Sequence, residues 1–182
     1  MSLRFPKWYA DRVARLRVPL GFLLLALFLW LAKPTRLSLF LGLPASALGI
    51  LLRAWAAGHL RKNEQLVQSG PYAWVRNPLY LGTALTAGGL TTAAADWRLF
   101  ALTCVVFLLV YLPAVQLEEQ HLKDLFPTYW EYALRVPAFL PRRPKTPTPS
   151  RFQWSCYWRN QEYKAALAYL LVLAYLFWKL PP

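Results

Sequence analysis

The chain has 182 residues, of which 57% are hydrophobic and 16% aromatic, and 21 Lys and Arg against 8 Asp and Glu give a formal net charge of +13. That apolar share is too high for an ordinary water-soluble domain, so lipid is the expected solvent for much of the chain. The basic residues cluster beside apolar runs rather than along one amphipathic surface, which argues against a nucleic-acid partner and for a bilayer with anionic lipids. Cys104 in an apolar run and Cys156 in a basic loop suggest neither a disulfide framework nor a metal site.

The first apolar run, Val18 to Ala32, is short for a span, which usually needs about 20 residues, and flanking Arg17 and Lys33 are expected to snorkel. The segment before it is basic, but no small-residue cleavage site follows the run, so the run reads as retained; no lipidation signal is visible at either end. A second run, Leu37 to Ala57, contains Pro44 and Arg53, and the tight connection before it implies an antiparallel hairpin. Arg53, a turn from the expected helix end, is expected to snorkel as well. The third run, 79–95, follows Asn77-Pro78 and carries Gly82, Gly88 and Gly89 as small surfaces for close helix contact. The fourth, 99–117, is strongly apolar, and its helical pattern continues through Glu118-Glu119 to Phe126. Arg142 to Ser150 reads as a Pro-rich basic linker, and Ala165 to Leu180 as a short fifth span. The expectation is an all-α integral membrane helical bundle, with a four-span core over 1–141 and a basic linker and C-terminal hydrophobic helix over 142–182.

Sixteen Lys and Arg fall on one side of this arrangement and four on the other, with Arg53 inside a span. The positive-inside bias then places the N-terminus and both polar stretches in the cytoplasm, with the protein in the inner membrane.

Two polar stretches carry the candidate chemistry: Gly70 to Gly82, and Glu118-Glu119 leading to Arg135-Val136-Pro137. Costly polar groups kept beside hydrocarbon are functional candidates. Asn77 suits an N-cap and Pro78 a first helical position, so the free N–H groups there, with Arg76, make an anion site for a carboxylate or phosphate. Tyr80 lies about a turn inside, and Gly82 leaves room for a flat ligand. An aromatic belt of Tyr72, Trp74 and Tyr80 at headgroup depth is the alternative. Glu118 and Glu119 point about 100° apart on a helix and cannot form a face-to-face pair. Glu119 stands four residues before Lys123, as in a surface ion pair, and Glu118 shares a face with Leu122 and Leu125, which makes Glu118 the expected inward group. Tyr129, Trp130 and Tyr132 beside Arg135 suit either stacking on a ligand or interfacial anchoring. His59 and His121 are isolated, so no metal site is expected, and no P-loop, GxGxxG or GxSxG is present.

Together the stretches resemble the signature of the isoprenylcysteine carboxyl methyltransferase family and its phospholipid N-methyltransferase relatives. Gly70, Pro71, Tyr72, Arg76, Pro78, Tyr80 and Gly82 match its first half, and Glu118, Glu119, Leu122, Phe126, Tyr129, Tyr132, Arg135, Val136 and Pro137 its second. The resemblance implies an integral-membrane enzyme that binds S-adenosylmethionine in a cytoplasm-facing pocket and admits a lipophilic acceptor from the lipid side. It implies cofactor contacts from Tyr72, Arg76, Asn77, Pro78, Tyr80, Gly82 and Glu119. Glu118 or Glu119 would take the cofactor's amino group or orient the acceptor, and Arg135 would fix an acceptor carboxylate. Two departures matter. Asn77 stands where prenylcysteine enzymes have His and cannot shuttle a proton, and no Arg precedes the Glu pair, which points to a lipophilic acceptor other than prenylcysteine. A nicotinamide-dependent enzyme like the sterol reductases, or a non-catalytic membrane scaffold, are the alternative readings.

Overall fold

Helix α1 runs Lys7–Leu31, 25 residues, starting well before the apolar run because the basic segment continues the same helical path from Pro6. The lipid-facing run is therefore the outer part of a longer helix. The computed structural model describes residues 5–144 and 150–181, and among these the chain is helical, without strands. Positions 145–149 of the expected linker, and Arg4 and Lys145 of the charge count, lie outside the described residues.

Helix α2 (Arg36–Ala57) starts on a capping box: the Thr35 hydroxyl accepts from the Ser38 N–H at 3.0 Å and the Thr35 N–H donates to Ser38 Oγ at 2.9 Å. It packs along α3 (Pro78–Ala93), and glycine makes the approach possible. Gly42 and Gly49 on α2, like Gly82 and Gly89 on α3, are spaced by two helical turns and share a face. A Cβ added at Gly49 would lie 2.5 Å from the Thr86 N and 2.6 Å from the Gly82 carbonyl, and one at Gly89 2.4 Å from the Ser46 N. Backbone meets backbone here, so no side chain fits. Gly88, expected to share in such contact, does not: its nearest neighbour is a Phe100 ring atom at 4.0 Å.

After a turn in which the Asp96 carboxylate accepts from the Arg98 N–H at 2.9 Å, α4 runs Trp97–Leu125. Phe107–Tyr111 within it is a π-helical segment. Pro113 lacks the N–H that would meet the Leu109 carbonyl four residues back, and the Tyr9 hydroxyl of α1 donates to that carbonyl at 2.9 Å instead. The helix continues past Glu118-Glu119, as the sequence pattern requires.

Three helices, α1, α2 and α4, are long and apolar enough to cross a membrane. At 16 residues α3 reaches about 24 Å, short of a hydrocarbon core of about 30 Å, and it is sheltered along α2.

Short helices α5 (Tyr129–Arg135) and α6 (Trp154–Arg159) precede α7 (Tyr163–Trp178), a 16-residue apolar helix. The tail is built into the bundle. Leu176 of α7 is fully buried with Phe28, Ala32, Leu39 and Leu99, and the Tyr169 hydroxyl meets Ser46 Oγ at 3.0 Å. The Asn160 amide donates to the carbonyls of Ala57 and Leu60 at 3.0 and 2.9 Å, closing the C-terminal end of α2.

Candidate functional site

The two polar stretches meet. The Arg76 N–H donates to the Pro137 carbonyl at 2.9 Å, the Arg142 N–H to the Trp74 carbonyl at 2.9 Å, and the Tyr132 hydroxyl to the Tyr72 carbonyl at 2.8 Å. The Arg-Val-Pro stretch is thus clasped to the segment that opens α3. Tyr129 and Tyr132 are buried to 1% and 2% exposure, and burial pushes both phenols well above their usual range, so they are packing groups in this clasp. Trp130 is exposed.

Glu119 lies behind this junction. Its Oε1 accepts from the Asn77 amide at 3.0 Å and lies 3.3 Å from Arg76 Nη2. The expected surface pairing with Lys123 is replaced by this inward pair, because the clasp carries a cation and an amide to the inner side of α4. Glu118, expected as the inward group, lines the cavity at its exposed rim and accepts from the Tyr80 hydroxyl at 2.9 Å. Arg17 of α1 donates to the same hydroxyl at 3.3 Å. Asn77 does not cap α3 with its side chain, as its sequence position suggested; its amide turns to Glu119 and to the Ala138 carbonyl at 3.3 Å. The α3 start keeps N–H groups that no side chain covers.

A cavity of about 860 Å³ opens at this junction, within the range of small-molecule sites. Tyr72, Arg76, Asn77, Pro78, Tyr80 and Glu118 line it. Glu119 stands behind the wall, holding Arg76 and Asn77. Gly82 is at the helix contact instead of the cavity: a Cβ there would lie 2.7 Å from the Gly49 carbonyl and 2.6 Å from the Arg53 side chain. Its expected role of giving a ligand access to the backbone is replaced by giving α2 access. Arg135 is exposed outside the lining, bonded to Gln68 Oε1 at 3.0 Å.

The structure adds residues that motif reasoning missed. Arg53 does not snorkel: its Nε donates to Glu162 Oε1 at 2.6 Å and its Nη2 to Oε2 at 3.1 Å, with Nη1 directed to Thr83 and the Leu79 carbonyl. Both members of the pair line the cavity. A charge inside an apolar run was the signal for Arg53. Glu162 is the single acid of residues 142–182, which is the signal that could have found it.

Two buried polar atoms have no hydrogen-bond partner among the described residues, Arg76 Nε and the Tyr72 hydroxyl. Such atoms normally find partners, and both belong to cavity-lining side chains. A second, apolar slot of about 250 Å³ lies between α1, α3 and α4, lined by Leu24, Phe28, Leu90 and Phe107 among others. Thr83 and Tyr111 line both spaces. Tyr111, at the end of the π segment, stands edge-on to Tyr80 and stacks on Phe107.

No solved structure matches the chain. It is 38% identical over 108 residues to the cobalt-zinc-cadmium resistance protein CzcN of Cupriavidus metallidurans, covering 58% of this chain and 50% of that protein. It is 36% identical over 92 residues to the nickel-cobalt-cadmium resistance protein NccN of Alcaligenes xylosoxydans xylosoxydans, covering 50% of this chain and 43% of that protein. The chain spans about half the length of these curated relatives. A model of the phospholipid methyltransferase family matches residues 16–129, which include most of α1, all of α2 to α4 and the whole junction from Arg76 to Glu119, and the chain belongs to that family.

Proposed function

We propose that the protein is an S-adenosylmethionine-dependent methyltransferase that modifies a lipophilic acceptor drawn from the bilayer. The observation that carries this reading is the Arg76–Asn77–Glu119 junction, with the partnerless Arg76 Nε, at the wall of a cavity that shares Thr83 and Tyr111 with an apolar slot.

The residues fit the cofactor. Arg76 and the uncovered N–H groups at the start of α3 suit its carboxylate, Glu118 on the rim suits its ammonium, and Tyr80 offers a ring beside them. When bound, S-adenosylmethionine supplies a methyl group on a sulfonium centre. The protein's task is then placement, since in-line transfer gains mostly from holding two reactants in near-attack geometry. Glu119 fixes Arg76 and Asn77, Tyr111 and Phe107 border the slot, and the packed helices keep water from it. The positive-inside bias supports a site on the cytoplasmic face of the inner membrane, with the basic clusters on anionic headgroups.

The metals in the relatives' names do not translate into a ligand set here: among the described residues no three His, Cys, Asp or Glu gather to hold a metal ion. Calorimetry with S-adenosylhomocysteine on the purified protein tests the proposal, with labelled-methyl transfer to a membrane lipid extract as the second measurement. Binding and a labelled lipid are the expected results. Nicotinamide-cofactor binding instead would favour a reductase, and binding of neither by folded protein would favour a scaffold.

A further inference from the structure

Five cationic side chains line the cavity, Arg17, Arg53, Arg61, Lys62 and Arg76, against two carboxylates, Glu118 and Glu162. S-adenosylmethionine carries a sulfonium, an ammonium and one carboxylate, so it brings no negative surplus to answer this excess. Glu119 behind the wall answers Arg76 and Glu162 answers Arg53, which leaves Arg17, Arg61 and Lys62 against Glu118, a remainder that suits an anionic second ligand. The wall made by α2, the turn at Gly70–Ala73 and the tail has the matching donors. Arg53 is fixed there, because Glu162, only 6% exposed, takes its Nε and Nη2 in a bidentate pair and Thr83 with the Leu79 carbonyl takes Nη1. This leaves one Nη2 hydrogen unassigned, since a guanidinium has five N–H donors. The Tyr72 side chain is 8% exposed, lines the same cavity, and its hydroxyl has no partner.

We propose that Arg53 and Tyr72, with Glu162 as the positioning residue for Arg53, form a second subsite that binds an oxyanion, phosphate or carboxylate, on the methyl acceptor. The inference rests on the methyltransferase reading for the word acceptor, but the subsite is defined by its own residues. Burial, and after it the charge of Glu118, hold the Tyr72 phenol far above its ordinary range, so it remains a donor at every working pH. Glu162 comes from the tail, beyond the 16–129 family match, whereas Arg53 and Tyr72 lie within it.

The test titrates decyl phosphate, decanoate and decanol onto the full-length protein in nanodiscs, with and without S-adenosylhomocysteine, reading the thermal midpoint. The variants are Tyr72→Phe, Glu162→Gln and Glu162→Asp. One or both anionic amphiphiles should raise the midpoint of the wild type and decanol should not; which one does identifies the oxyanion. Tyr72→Phe and Glu162→Gln should weaken that response by about tenfold or more, and Glu162→Asp should restore part of it. S-adenosylhomocysteine affinity should change by less than about threefold in Glu162→Gln and Glu162→Asp. A wild-type response to decanol equal to that for the anions would overturn the proposal. So would a tenfold loss of S-adenosylhomocysteine affinity in Tyr72→Phe and Glu162→Gln with the amphiphile response intact, because the pair would then hold the cofactor. If S-adenosylhomocysteine does not bind the wild type, the methyltransferase reading fails, while the titration without it still decides the subsite.

Discussion

The Asn77 amide donates to Glu119 Oε1 at 3.0 Å, joining side chains 42 residues apart in the chain. The bond explains why Asn serves here. An amide donor satisfies one carboxylate oxygen while Arg76 stands 3.3 Å from the same atom, so the half-buried acid meets a charge and a hydrogen bond together.

Asn77→Asp places a second carboxylate against Glu119. Two carboxylates at this distance repel at neutral pH, and the repulsion is relieved when one of them takes a proton as the pH falls. S-adenosylhomocysteine affinity should fall by about tenfold or more at neutral pH and recover as the pH is lowered toward 5. Calorimetry at two pH values checks this; equal affinity at both would separate Asn77 from the binding wall.

Arg76→Ala should abolish S-adenosylhomocysteine binding while the protein still elutes as a folded species. The side chain is 16% exposed and paired with Glu119, so its loss also leaves that acid without its cation. Arg76→Ala with Glu119→Gln should therefore be more stable than Arg76→Ala alone, by about 1 kcal/mol or more. Thermal unfolding of the four proteins measures the coupling.

The glycine contact between α2 and α3 gives contrasting expectations. Gly49→Val requires backbone to move, since even its Cβ would lie 2.5 Å from the Thr86 N, and about 1–3 kcal/mol or more of stability should be lost. Gly21→Ala meets nothing within 4 Å and should change stability by about 0.5 kcal/mol or less beyond its helix propensity gain. Comparable losses in both would show that the helices are further apart than described.

Tyr9→Phe removes the donor that meets the Leu109 carbonyl. It should cost about 1–3 kcal/mol in the wild type and less in a Pro113→Ala background, where the helix can supply its own N–H. A double-mutant cycle by thermal unfolding reads the difference.

The Asp96 carboxyl is lowered to about 2, first by its hydrogen bonds with the Arg98 side chain. A depressed acid contributes stability in full above its unfolded value, near 4, and loses it as pH falls through the folded value. The wild type should therefore exceed Asp96→Ala in thermal midpoint at neutral pH, and the gap should narrow between about pH 4 and pH 2. A constant gap would show that the cap acts without its charge.

What the sequence determined by itself follows from local and compositional physics. Apolar runs of helical length fix the helices, and long apolar stretches fix lipid as the solvent. Motif order marks Arg76, Tyr80 and the Glu pair as one group. Only the tertiary structure decided which groups meet. Periodicity on an isolated helix favoured Glu118 as the inward acid, yet the clasp between Tyr72–Asn77 and Tyr132–Arg142 brings Arg76 and Asn77 to Glu119. Asn77 read as a cap because capping is the commonest local use of Asn; a distant carboxylate outbid it. Gly82 read as ligand access, and the α2 backbone took the space. Arg53 read as snorkelling because its partner, Glu162, lies 109 residues away in a tail that nothing local ties to α2. Buried charges are settled by whichever opposite charge the packing delivers, and that is a property of the folded bundle rather than of neighbouring residues in the chain.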